Sequence, residues 1–197
     1  MRVIAFWAAA APVVLAAIGA TPTRAPVNRN GWRSWNAFGL NVDQALILDV
    51  ANAVADRRWT TWNGSTVSLA DLGYVDVGID DGWQQAGAGL NGGFHDASGH
   101  PIVNISKFPD MAGLVKDIHS LGLTAGFYGN NCHDAEKDWV LANFIGDVDY
   151  FVTTGFDGYK LDSCGAQKDI ALYSALLSHA TAKNVTVENV SSTVRRK

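Results

Sequence analysis

Lys160 and Asp162 stand two residues apart in Tyr159-Lys160-Leu161-Asp162-Ser163-Cys164, a stretch that reads as a buried strand. Side chains at i and i+2 share one face of a strand. An ammonium group held beside a carboxylate favours the charged carboxylate, which is the form a nucleophile needs. Lys-x-Asp also arises as an ordinary ion pair at a sheet edge, so the pair gains weight only with company. Two further apolar runs end in polar clusters: Val75 through Ile79 ends in Asp80-Asp81-Gly82-Trp83, and Leu123 through Tyr128 ends in Gly129-Asn130-Asn131. Asp80 and Asp81 could fan out to accept from two vicinal hydroxyls, or could form an Asx turn into the next loop. Trp35 offers an apolar wall to a ring face, or a core residue. Carboxylates and aromatics without a phosphate cradle suit a neutral sugar better than an anion.

The elements that must position these residues alternate. The pattern predicts a strand over Trp32–Phe38, a helix over Asp43–Arg58 behind an acidic start, and a strand over Tyr74–Asp80. A Gly-rich loop follows from Gly82 to about Lys107, and Phe108-Pro109-Asp110 opens a helix through Leu121. Leu123–Tyr128 reads as a strand, Leu141–Thr154 as a helix, Gly158–Asp162 as a strand, Gln167–Lys183 as a helix and Asn184–Asn189 as a last strand. Such alternation gives an α/β fold with a parallel sheet, either doubly wound or a (β/α)8 barrel. Polar residues at several successive strand ends favour the barrel, whose sites sit on that rim. A doubly wound nucleotide fold wants a Gly-rich turn after its first strand, where this chain has Trp35-Asn36-Ala37-Phe38-Gly39-Leu40.

With 197 residues, 48% hydrophobic, 17% charged and a net charge of −4, the composition is that of a globular protein and implies no nucleic-acid partner. Met1-Arg2, the apolar run Val3–Ile18 and the small residues to Ala20 read as a signal peptide over residues 1–20. A secreted protein with no membrane anchorage after cleavage is the expectation. That route makes the sequons at Asn63, Asn104, Asn184 and Asn189 possible glycan acceptors. It also makes a disulfide between Cys132 and Cys164 the default over a metal site, worth about 3 to 4 kcal/mol. Cys132-His133-Asp134 lacks the ligand spacing of a zinc centre, so no metal is expected.

Five motifs in one order carry a resemblance: Gly31-Trp32-Arg33-Ser34-Trp35-Asn36-Ala37-Phe38, Ile79-Asp80-Asp81-Gly82-Trp83, Phe108-Pro109-Asp110-Met111, His119-Ser120-Leu121-Gly122-Leu123 and Lys160-Leu161-Asp162-Ser163-Cys164. Together they resemble the α-galactosidase and α-N-acetylgalactosaminidase family of glycoside hydrolases. The resemblance implies that residues 26–197 form about the first four to five βα units of a (β/α)8 TIM barrel. It implies a retaining mechanism without cofactor, Asp162 as the nucleophile, and Trp35, Asp80, Asp81, Tyr128 and Lys160 as sugar-binding residues. Glu188 lies where the family carries a recognition glutamate, and the family's loop disulfide falls on Cys132 and Cys164. The implied partner is an α-galactoside or related oligosaccharide.

Three departures stand out. Gly82 occupies a position where the family has a bridged cysteine, and Asn130 replaces a family aspartate. The family's acid/base aspartate follows the sixth barrel strand and has no counterpart before Lys197. The expectation is therefore a truncated barrel, either an incomplete hydrolase or a noncatalytic sugar-binding fragment.

Overall fold

The computed structural model describes residues 30–129, 132 and 136–190. The segment expected to be a signal peptide, Asn130, His133 and Asp134 lie outside them.

The described chain runs β1 (Asn30–Arg33), α1 (Trp35–Phe38), α2 (Gln44–Ala55), β2 (Trp59–Thr60), β3 (Thr66–Val67), β4 (Tyr74–Gly78), α3 (Met111–Ser120), β5 (Thr124–Tyr128), α4 (Leu141–Thr154), β6 (Gly158–Asp162), α5 (Ile170–Ala180) and β7 (Thr186–Val190). The main sheet has strand order β1-β4-β5-β6-β7, and every pair in it is parallel. Each strand of that sheet therefore pairs with the next one in the chain. A doubly wound sheet reverses its order at a switch point, whereas a barrel proceeds in one direction. This sheet is the curled first part of a (β/α)8 barrel.

Helix starts follow the local chemistry. Asp43, Asp110 and Asp169 cap α2, α3 and α5 by accepting from the backbone N–H groups of Leu46, Gly113 and Leu172 at 2.9, 2.8 and 3.0 Å. The apolar faces of the helices pack on the sheet, α2 against β4 and α3 against β5, and α4 packs against α5. Beneath them Phe127 and Tyr159 are fully buried, with Phe127 4.9 Å from the Phe156 ring and 5.0 Å from Trp83, centroid to centroid. Each such ring contributes about 1.5 to 3 kcal/mol of burial.

Local expectations change at several points: α2 ends at Ala55 instead of Arg58, and α5 spans Ile170–Ala180 instead of Gln167–Lys183. The strand expected over Trp32–Phe38 stops at Arg33, and residues 35–38 form a helical turn in which the Phe38 N–H donates to Ser34 O at 3.0 Å. Gly39, at φ 53°, ends that turn in a conformation only glycine adopts freely. The region Trp59–Val67 also folds into a small antiparallel hairpin, β2 with β3, that the sequence pattern did not announce.

Candidate active site

The register organises the site. Gly78, Gly126, Gly158 and Thr186 lie side by side across β4 to β7. Two residues further along each strand, Tyr128, Lys160 and Glu188 form the next row. Asp80 follows Gly78 by the same interval, and the ladder continues toward it through the Ile79 N–H, which donates to Gly126 O at 3.0 Å. Asp162 stands one interval beyond Lys160, at the C-terminal end of β6. Side chains two apart share a face, so these residues gather at the rim where a parallel barrel builds its sites.

The pair expected within β6 takes a different form. The Lys160 ammonium donates to Asp80 Oδ2, bridging from β6 to the segment just after β4. It also lies 5.1 Å from the Tyr128 ring centroid, within cation–π range. The physical reason is the row. Asp80 and Lys160 are level across the sheet, whereas Asp162 is displaced along its strand by two residues, roughly 6 to 7 Å. Both members of the ion pair are buried, Asp80 at 2% and Lys160 at 9% exposure.

Around this pair the polar groups converge. The Tyr128 hydroxyl donates to Asp162 Oδ2 at 3.5 Å and contacts Cys132 Sγ at 3.3 Å. Burial, followed by the charges of Asp81, Asp162 and Asp80, pushes the Tyr128 phenol far above its ordinary range, so it stays a proton donor. Asp162 Oδ1 accepts from the Ser163 N–H at 2.8 Å, and Asp81 Oδ2 from the Cys132 N–H at 3.2 Å. Cys132 and Cys164 are joined by a disulfide, which ties the loop after β5 to the loop after β6. Their sulfurs lie within 4.8 Å of an Asp162 oxygen, but the disulfide removes the thiolates a metal would need.

Of its two sequence readings, Asp80 takes the local turn, and it adds an ion pair that neither reading contained. Its Oδ1 accepts from the Asp81 N–H at 2.9 Å in a local turn, while Oδ2 holds Lys160. Trp35 is not a core residue; it is 43% exposed on α1. It follows Ser34, whose buried Oγ accepts from the Asp80 N–H at 3.0 Å, so the end of β1 is pinned to the site. Glu188 sits opposite Lys160 in register, and its Oε2 accepts from Arg33 Nη2 at 3.2 Å.

Sequence reasoning missed the group that braces the loops. His95 Nδ1 lies 2.7 Å from Glu136 Oε2 and its Nε2 3.0 Å from Asp147 Oδ1. Glu136 Oε1 accepts from the Phe94 and His95 N–H groups at 3.0 and 3.2 Å, and the Glu136 carbonyl accepts from the Ala166 N–H at 2.9 Å. Three loops at the sheet's C-terminal rim are thus fastened at one point. His95 is 41 residues from Glu136 and 52 from Asp147, so no local signal could have joined them.

Known proteins share this architecture. The family model described as alpha galactosidase A (Melibiase_2) matches residues 27–194. "Probable alpha-galactosidase B" of Talaromyces emersonii is 35% identical over 144 residues, which is 71% of this chain and 28% of that protein. "Alpha-galactosidase 3" of Arabidopsis thaliana is 31% identical over 139 residues, 68% of this chain and 28% of the relative. The crystal structure of α-galactosidase I from Mortierella vinacea matches at TM-score 0.61 and 31% identity, over 82% of this chain and 40% of that one. The chain thus corresponds to about 28% of the length of these curated relatives. Parallel strands in unbroken order, an acidic rim and a match across residues 27–194 lead to one conclusion: the chain belongs to the alpha galactosidase A family.

Proposed function

We propose that the protein carrying this sequence is a retaining glycoside hydrolase that releases terminal α-linked galactose, with Asp162 attacking the anomeric carbon. The observation that carries this reading is the placement of Asp162 at the end of β6, its Oδ2 receiving the Tyr128 hydroxyl beside the Lys160–Asp80 ion pair. Attack by Asp162 forms the bond to C1 while the glycosidic C1–O bond breaks, and water then cleaves the glycosyl ester. Retention also requires a second carboxyl group about 5 Å from the nucleophile, to protonate the leaving oxygen and later activate water. In this reading that group comes from outside β1–β7. Asp80, Asp81, Lys160 and Glu188 bind the sugar hydroxyls, Tyr128 orients Asp162, and Trp35 offers its exposed ring to the sugar.

The reading extends to the route of the protein. A disulfide persists where the compartment is oxidising, which supports secretion. Among the described residues no helix is long and apolar enough to cross a membrane.

The test is hydrolysis of an aryl α-galactoside by the complete protein and by its Asp162→Asn variant. The variant should fold and lose turnover, with product from the unmodified protein retaining the α-configuration at the first stage. Turnover by the variant at the unmodified rate removes the nucleophile, and first-formed β-galactose removes the retaining mechanism.

A further inference from the structure

One register row across the sheet has an unusual composition. It contains Arg33 of β1, Gly78 of β4, Gly126 of β5, Gly158 of β6 and Thr186 of β7. Three adjacent glycines leave this part of the face opposite the helices without side chains, and the Arg33 guanidinium lies in the space. A Cβ on Gly78 or on Gly126 would stand 1.8 Å from Arg33 Nη1. From there Nη2 reaches two carboxylates at once, Asp76 Oδ2 and Glu188 Oε2, each at 3.2 Å. Asp76 is one interval below this row and Glu188 one interval above it. Arg33 therefore links the rows beneath the sugar site to the row that forms it.

Charge explains why the link matters. Lys160 has Glu188 as its register partner and Asp80 as its ion-pair partner, two carboxylates for one ammonium. A second cation at Glu188 leaves Lys160 to Asp80. We propose that Arg33 is a positioning residue for sugar recognition, holding Glu188 in the row of Tyr128 and Lys160 so that its exposed side accepts a substrate hydroxyl. The Glu188 side chain is 44% exposed, which leaves it room to accept one. A planar guanidinium is suited to bridging two carboxylates across an empty row, as a lysine ammonium is not. This inference rests on the glycosidase reading above.

The test uses the complete protein as unmodified, Arg33→Met, Glu188→Gln and double variants, with an aryl α-galactoside as substrate and galactose as competing ligand. Arg33→Met should raise KM and weaken galactose binding by about tenfold or more, with kcat changed far less. Arg33→Lys should recover part of the loss. The double variant should be little worse than Glu188→Gln alone, because both changes remove one interaction. Independent, multiplying effects overturn the proposal, and so does a variant with a lower Tm but unchanged KM, which would make Arg33 a space-filler only. If the unmodified protein hydrolyses no α-galactoside, the glycosidase reading fails, and the Arg33 role is then read from galactose titration of the same four proteins. Galactose binding insensitive to Arg33→Met, or no saturable binding at all, overturns the inference as well.

Discussion

Removing the charge from His95 should loosen the rim of the sheet, and the size of the effect follows from the geometry. The ring is 2% exposed and lies between two carboxylates, Asp147 at 3.0 Å and Glu136 at 2.7 Å. Burial opposes the charged imidazole. The charge and hydrogen bond of Asp147, then those of Glu136, outweigh it and raise the His95 pKa from 6.5 to about 9. At about 1.4 kcal/mol for each tenfold in proton affinity, that displacement corresponds to about 3 kcal/mol. The sign is fixed by the direction. A folded-state pKa above the unfolded one gives stability that is fully present below about 6.5 and lost as the pH rises through about 9.

The two carboxylates respond differently. Burial raises the pKa of fully buried Asp147 despite His95 and the Tyr173 hydroxyl that donates to it at 2.6 Å. Glu136, resisting burial with the His95 bond and charge and two backbone donors, is held below the usual carboxylate range. Asp147 thus offsets part of the gain, and about 3 kcal/mol is a ceiling for the cluster. His95→Gln keeps a polar side chain but leaves both carboxylates without their cation. Thermal unfolding of the complete protein from pH 6 to 10 should show the unmodified Tm falling between about pH 7 and 10, while the variant is already lower at pH 6, by at most about 6 to 12 °C. The two curves should converge at high pH. An unmodified Tm that stays flat to pH 10, or a variant with the unmodified Tm at pH 6, would refute the reasoning.

Lys160→Met leaves Asp80 buried without its cation and should destabilise by about 3 to 5 kcal/mol in denaturant titration. Adding Asp80→Asn to it should return much of that stability but no activity. Gly126→Ala places a Cβ 1.8 Å from Arg33 Nη1, so it should cost about 1 to 3 kcal/mol and mimic the loss of the Arg33–Glu188 contact in KM. Arg33→Met in that background should relieve the steric part. Replacing Cys132 and Cys164 together opens a loop with a sequence separation of 32, for which the chain-entropy model gives about 4 kcal/mol, read as a lower Tm in the absence of reductant.

What the chain declares locally is what short-range chemistry specifies. Asp43 and Asp110 satisfy backbone N–H groups at helix starts where the sequence pattern opened those helices, whereas Asp169, the cap of α5, falls inside the helix expected from Gln167. The spans of α4 and β6 coincide with those expected, because apolar spacing and the turn at Gly155 mark both. The helical turn at 35–38 was hidden, since its aromatic residues have the composition of a strand and only the burial of Ser34 under Asp80 shows why the chain bends.

The site divides along the same line. Asp80, Asp81, Tyr128, Lys160 and Asp162 were legible as candidates because they fall at the ends of several successive apolar runs, where a barrel builds its sites. Their partners were not. Lys160 and Asp162 are neighbours on one strand, yet the ammonium goes to Asp80, 80 residues away, because parallel pairing sets them level. Arg33 with Glu188, 155 residues apart, and His95 with Asp147, 52 apart, are likewise products of register and packing. Local sequence encodes φ/ψ preferences and which face is apolar; which charge meets which depends on how strands align across the sheet, and that alignment exists only once the whole sheet has formed.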